Sequence, residues 1–241
     1  MSEEATFAIR HGTQDQEVFD DVVVRNQYCL PDSLPKESLI IDIGANIGAF
    51  AVACLLRGAG TVACFEPCPN NYLQLFQNVR YWPNQAPCFN AAVWRSDRRE
   101  RLKFVIPGNN TACGAVTSVE TETDEQTVEV ASMPLDEIIF HATDDGKRRI
   151  NILKIDAEGS EYSILYTSNG LHLVDNLIVE THQYPPEYTG EKFFINGYPD
   201  HEACADGMEA FLVSQGFSVV RKAESDANDI NTLLFATRSK Q

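Results

Sequence analysis

The sequence predicts an α/β protein: a mostly parallel sheet with helices on both faces. Two stretches carry that reading. Leu39 to Glu66, LIIDIGANIGAFAVACLLRGAGTVACFE, runs strand, glycine turn, helix, strand, acid. Ile150 to Tyr162, INILKIDAEGSEY, repeats apolar strand, carboxylate, glycine turn and helix start. Strands that alternate with helices in this way form β-α-β units.

Taken in order, residues 1–37 form an N-terminal extension, and residues 38–241 one globular domain. With 241 residues and 44% apolar content, the chain buries a single sizeable core. Within the extension, Phe7 to Arg10 and Val18 to Arg25 alternate around Gly12 to Asp15, which predicts a hairpin. Arg25 and Tyr28 stand just ahead of the first core strand, and Tyr28 is a candidate substrate-binding residue. Pro31 and Pro35 mark a connector. Leu39, Ile40, Ile41 and Ile43 are an apolar run too short for a helix, as in a parallel strand covered on both faces.

Gly44 to Gly48 break that run, and glycines there let a ligand approach the backbone closely. A helix from Ile47 to Leu56 ends at Gly58 and Gly60. Thr61 to Phe65 is the second strand. Glu66 at its end is placed to accept hydrogen bonds from both hydroxyls of a ribose. Asn70 is the expected N-cap of a helix reaching about Arg80. Cys88 to Trp94 reads as a third strand, with Ala91 and Ala92 small enough for a flat adenine to pack on them.

Leu102 to Ile106 and Thr127 to Ser132 read as two strands of a hairpin. The long polar segment between them, with Asn110 and Thr111, is expected to wall the acceptor pocket or close as a lid. Pro134 to His141 suits a short helix. The strand from Ile150 brings Asp156 and Glu158 to the carboxyl edge of the sheet, where open α/β sheets bind ligands. Glu161, in the first turn of the next helix, complements the helix dipole. Leu177 to His182 is a fifth strand ending at the same edge, and the aromatic segment after it offers Tyr184 as a pocket residue. A helix from Glu202 to Gln215 and strands Phe217 to Val220 and Asn231 to Ala236 close the sheet.

Charge and cysteines narrow the partners. The net charge is −16, from 19 basic and 35 acidic residues, which repels phosphate backbones and points away from nucleic acid. No apolar run is long enough to span a bilayer, and the start MSEEATFAIR lacks a signal-peptide core. The seven cysteines include no C-x-x-C pair, so neither a disulfide framework nor a zinc site is expected. A reduced, cytoplasmic protein fits these features. Oligomeric state is left open, a homodimer included.

The glycine turn, Gly44-Ala45-Asn46-Ile47-Gly48, lacks one glycine of the dinucleotide fingerprint, and no Tyr-x-x-x-Lys pair supports a reductase. Instead IDIGANIGAF, CFEPCPNNY and ILKIDAEGSEY together resemble the FkbM family of class I S-adenosylmethionine-dependent methyltransferases. The resemblance implies a Rossmann-like, seven-stranded sheet whose last strand is antiparallel. It also implies O-methylation of a hydroxyl on a small molecule such as a natural product, a sugar or a polyketide-like acceptor. It would place Asp42, Gly44, Ala45, Asn46 and Gly48 around the methionine part of the cofactor. Glu66 and Pro67 would lie at the ribose with Asn71 nearby, and Asp156 close to the methionine amino group or the transferred methyl.

For the proton of the acceptor hydroxyl, His182 is the first candidate base, since an ordinary imidazole titrates near about 6.5. Asp156 and Glu158 compete for that role. Alternatively Asp156, Glu158, Glu180 and His182 hold magnesium or calcium, which would acidify the alcohol. Two further readings stay open: N-methylation of a small molecule, and a non-catalytic nucleotide-binding module that keeps the fold.

Overall fold

The computed structural model describes residues 6–97, 99, 102–106, 116–117, 126–182, 204–223 and 231–239. The chain opens with α1 (Asp15–Phe19), which widens into a π-helical turn over Asp20–Val24. Then come β1 (Leu39–Ile43), α2 (Ala49–Leu56), β2 (Thr61–Phe65), α3 (Pro69–Asn78) and β3 (Cys88–Phe89). Five short strands follow: β4 (Ala92–Trp94), β5 (Leu102–Ile106), β6 (Val116–Thr117), β7 (Gln126–Val130) and β8 (Ser132–Pro134). The second half holds α4 (Leu135–Ala142), β9 (Ile150–Ile155), α5 (Glu161–Tyr166), β10 (Val174–Thr181), α6 (Ala205–Ser214), β11 (Phe217–Ala223) and β12 (Thr232–Arg238).

Seven strands form the central sheet in the order β11-β12-β10-β9-β1-β2-β3. The pairs β1/β2, β1/β9, β9/β10 and β2/β3 are parallel, and β12 alone runs antiparallel, between β10 and β11. This is the expected seven-stranded sheet with its last strand reversed. Side chains alternate across β1. Leu39, Ile41 and Ile43 pack with Leu153, Ile155, Ile164 and Phe211 on one face. Ile40 packs with Ile152, Val62 and nearly all of α2 on the other. Both faces are therefore apolar, each fully buried isoleucine or leucine contributing about 1.5–3 kcal/mol.

Three expectations change. The N-terminal hairpin is instead helical over residues 15–24. Val18 and Val22, four residues apart, turn one side of that segment toward the apolar layer around α2, and the Phe7 ring packs tilted against Phe19 with centroids 4.8 Å apart. Helical spacing thus wins over strand alternation. The third strand splits at Asn90-Ala91: β3 stays in the main sheet, while β4 leaves it to pair with β8. Asn90 holds that bend, its side-chain amide donating to the carbonyls of Glu66 and Pro67 at 2.8 and 3.1 Å. Helix α3 is capped at Cys68, with Pro69 in its first turn, rather than at Asn70. The hairpin of β5 with β7 forms as expected, and β6 joins β5 on its other side. Among the described residues, no helix is long and apolar enough to cross a membrane, and six cysteines are free thiols.

Candidate active site

The carboxyl ends of β1, β2, β9 and β10 build the site. The turn after β1 begins at Gly44, with φ 69°. A Cβ there would lie 1.7 Å from the backbone oxygen of Asp156, so only glycine lets the turns after β1 and β9 meet. Asn46 follows in the left-handed region, which asparagine tolerates. Its amide donates to Oε2 of Glu66 at 2.8 Å, and the amide of Cys68 donates to Oε1 at 2.8 Å. Glu66 therefore joins the first turn, the end of β2 and the start of α3. Burial pushes its carboxyl up to about 7, although the Cys68 and Asn46 amides pull the other way.

A cleft lies over this unit. Gly44, Asn46, Glu66, Pro67, Asn71, Ala92 and Asp156 line it, as do Phe65, Val93 and Phe104. A second cleft adjoins it on the side of the N-terminal helix. Its walls include Val18, Val22, Tyr28, Phe50, Glu180 and His182. The two clefts share Gly44, Asn46, Asp156 and Glu158.

Behind the shared edge sits Lys154, 3% exposed. Its ammonium donates to the Gly44 carbonyl at 2.8 Å and lies 3.2 Å from Asp42 Oδ1 and 3.5 Å from Asp156 Oδ2. Burial pulls Lys154 down, but Asp42 and Asp156 outweigh it and raise the ammonium above its usual value. Asp42 is fully buried, and burial raises its carboxyl even with Lys154 opposing. The hydroxyl of Tyr28 lies 3.1 Å from Asp156 Oδ2 and 3.4 Å from Glu180 Oε2, and its ring stands edge-on to Phe50.

On the other side of Asp156, His182 lies at the end of β10. Its Nε2 is 3.7 Å from Asp156 Oδ1 and 3.5 Å from Glu158 Oε2, while Nδ1 is 3.3 Å from Glu161 Oε1. Burial lowers the imidazole, yet Glu161, Glu158 and Asp156 together raise it well above its usual value. Glu158 itself sits at φ 49°, a conformation rare outside glycine. Burial is the main cause that pushes its carboxyl up to about 7, His182 opposing.

The cofactor-site expectations therefore divide. Gly44, Asn46, Glu66, Pro67, Asn71, Ala92 and Asp156 gather at the first cleft, and Ala45 lines the second. Asp42 lies behind the wall with Lys154, Gly48 packs toward Leu75, and Ala91 is buried without lining either cleft. Tyr28 lines the second cleft, whereas Arg25 turns out to solvent and pairs with Asp21. Asn110, Thr111 and Tyr184 lie outside the described residues.

The cation set also changes. Asp156, Glu158 and His182 bring one donor atom each within 4.8 Å of one another. Glu180 is not among them; its carboxylate faces Tyr28 and the side-chain amide of Asn231. A magnesium ion seeks an all-oxygen octahedron. The third donor here is an imidazole nitrogen, which suits softer metals better, so the three residues do not offer magnesium its oxygen set.

Three further side chains matter at the site that the sequence pattern does not single out, and a fourth, Glu161, has a larger part than its place in the first turn suggests. Lys154 is a charge inside the apolar run Ile152 to Ile155, where lysine is rare unless paired. Phe104 is brought over the cleft by the separate β5 sheet. Arg10 donates to Asn71 Oδ1 at 2.9 Å while gripping Asp15 through two nitrogens, which straps the N-terminal segment onto α3. Glu161 does more than complement a helix dipole, since it reaches His182 on another strand.

The doubly wound sheet, the glycine turn and the acid ending β2 are those of a class I methyltransferase domain. Residues 42–219 match the methyltransferase FkbM domain, and the chain belongs to that family. Methyltransferase 1 of Beauveria bassiana is 26% identical over 61% of this chain and 65% of its own length. Methyltransferase sdnD of Sordaria araneosa is 26% identical over 86% of this chain and 83% of its own. The chain thus spans just under two thirds of the first relative. Among solved structures, the magnesium protoporphyrin IX methyltransferase of Synechocystis PCC 6803 with bound SAH aligns at a TM-score of 0.48 and 15% identity, over 93% of this chain and 83% of that one.

Proposed function

We propose that this protein transfers a methyl group from S-adenosylmethionine to a hydroxyl of a small molecule. The observation that carries the reading is the junction of two clefts at Asp156 and Glu158, one lined by Gly44, Asn46 and Glu66 and one open toward the N-terminal helix. The residues fit the cofactor. Glu66 presents a buried carboxylate whose oxygens each have a lone pair beyond the Asn46 and Cys68 amides, as a ribose diol requires. Gly44 keeps the floor free of a side chain. When bound, the cofactor supplies an electrophilic methyl on a sulfonium.

The chain's own contribution is alignment and proton removal. Holding the acceptor oxygen in line is worth several kcal/mol, since a two-body encounter becomes a one-body step. As the new bond forms, the hydroxyl proton passes to Glu158, whose value of about 7 suits proton uptake at neutral pH. His182, whose imidazole the surrounding carboxylates raise, lies between Glu158 and Glu161 and holds Glu158 in place. The two groups face each other at 3.5 Å and titrate as a pair. Lys154 lies between the carboxyl groups of Asp42 and Asp156 at the floor of the site.

One observation favours a second reading, N-methylation. Glu17, Asp21 and Glu180 line the second cleft, a wall that would attract an amine. The free thiols fit a reduced, cytoplasmic setting.

Calorimetric titration with S-adenosylmethionine and S-adenosylhomocysteine tests the reading, with Glu66→Ala and NADH as controls. Micromolar binding that the variant loses supports it. Binding then justifies offering alcohols and amines with a methyl-labelled cofactor. A folded protein that binds neither sulfur ligand sinks it.

A further inference from the structure

The proton-transfer edge depends on a residue that touches neither cleft. Glu161 is fully buried at the start of α5. Its Oε2 accepts the amide of Gly159 at 2.8 Å. Its Oε1 accepts the amide of His182 at 2.7 Å and lies 3.3 Å from Nδ1 of the same residue. Gly159 directly follows Glu158, so one carboxylate ties the turn carrying Glu158 to the strand end carrying His182. A carboxylate that only complemented a helix dipole would satisfy the amides of its own turn and gain nothing from burial. Complete burial of an acid is costly unless its oxygens are used, and here both are.

We propose that Glu161 is the positioning residue of this site: it sets the spacing of Glu158 and His182 and turns the imidazole so that Nε2 faces Glu158 and Asp156. With Nδ1–H committed to Glu161, only Nε2 is left for the cleft, 3.5 Å from Glu158 Oε2. The hydroxyl of Tyr162 adds a bond to the His182 carbonyl at 3.2 Å, which fixes the backbone from the same helix. The charged groups facing the ring are Glu161 from α5 and Asp156 and Glu158 from the turn after β9. This assignment rests on the methyltransferase reading for its purpose, and on geometry alone for its arrangement.

The test reads the imidazole directly, without an acceptor. The chain has five histidines, so ring-nitrogen-labelled protein with a His182→Gln variant assigns the signal. In wild type, Nδ1 of His182 stays protonated, also at the alkaline pH where a free imidazole prefers the proton on Nε2. Glu161→Gln keeps an acceptor for Nδ1–H and preserves that signature. Glu161→Asp keeps the charge but is one methylene short, and the signature is lost while the circular dichroism and the affinity for S-adenosylhomocysteine stay those of wild type. A wild-type ring protonated on Nε2 alone overturns the proposal, even if no variant folds. So does a folded Glu161→Asp protein that keeps the Nδ1 proton. Failure of the wild type to bind S-adenosylhomocysteine overturns the methyltransferase reading instead and leaves the nitrogen result standing.

Discussion

Glu66 Oε2 accepts the backbone amide of Asn46 at 2.8 Å, so the acid ending β2 and the turn ending β1 form one hydrogen-bonded unit. The same carboxylate caps the entry to α3 through Cys68. The acid therefore shapes the pocket as well as facing it. Glu66→Ala removes both bonds and the acceptor for a ribose. Hydrogen bonds to a charged group are worth about 1.5–3 kcal/mol each. A loss of at least about a hundredfold in S-adenosylmethionine affinity is expected. Titration calorimetry on the folded variant measures it, and an unchanged affinity would move the ribose elsewhere.

The raised carboxyls predict a pH dependence with a definite sign. Glu66 has an ordinary value of 4.5 and is pushed up to about 7 in the fold. Between those values the folded chain keeps a proton that the unfolded chain has released. Stability of the ligand-free protein therefore falls as pH rises through that window, by on the order of 3 kcal/mol at most from this group. Glu158 acts in the same direction. Thermal unfolding at pH 5 and pH 8 should show the lower melting point at pH 8. Glu66→Gln, which resembles the protonated acid, should make that slope shallower. An identical slope in the variant would show that Glu66 is ionised throughout.

Two glycines with similar backbone angles should respond differently to alanine. Gly44 has φ 69° and an added Cβ 1.7 Å from the Asp156 carbonyl oxygen. Gly12 has φ 75° with nothing within 4 Å. Gly12→Ala then carries only the left-handed strain, about 1 kcal/mol. Gly44→Ala must also push the β1 and β9 turns away from each other, and a loss above about 3 kcal/mol is expected. Urea denaturation of the pair separates strain from collision. Equal losses would mean that the β9 turn moves aside freely.

The regions of the molecule that read clearly from sequence are those where local and global demands coincide. β1 and β9 are buried on both faces, so they read as mostly apolar runs broken only by Asp42 in β1 and by Asn151 and Lys154 in β9. The N-terminal helix is ambiguous in sequence because Val18, Val22 and Val23 suit a strand as well as a helix, and only packing toward α2 decides between them. His182 is legible as a group at the right edge, but the upward push on its imidazole is not. That depends on Glu161, Glu158 and Asp156 converging from other elements. Lys154 is equally hard to read, because its need to serve as a counter-charge arises only once Asp42 and Asp156 are folded against it.

That counter-charge gives the last prediction. Lys154 is the cation between Asp42 Oδ1 at 3.2 Å and Asp156 Oδ2 at 3.5 Å. Replacing it by methionine keeps the volume and leaves two carboxylates facing each other, one of them fully buried. Breaking such a buried arrangement from one side costs about 3–5 kcal/mol. Asp42→Asn alone leaves the ammonium with Asp156 and the Gly44 carbonyl, and should cost less. In the double variant the buried charge and its partner go together, so the loss should be smaller than the sum of the two single losses. Denaturant titration of the four proteins gives the coupling directly. Simple additivity would mean that Lys154 serves Asp156 and Gly44 alone, with Asp42 entering the fold as a neutral acid.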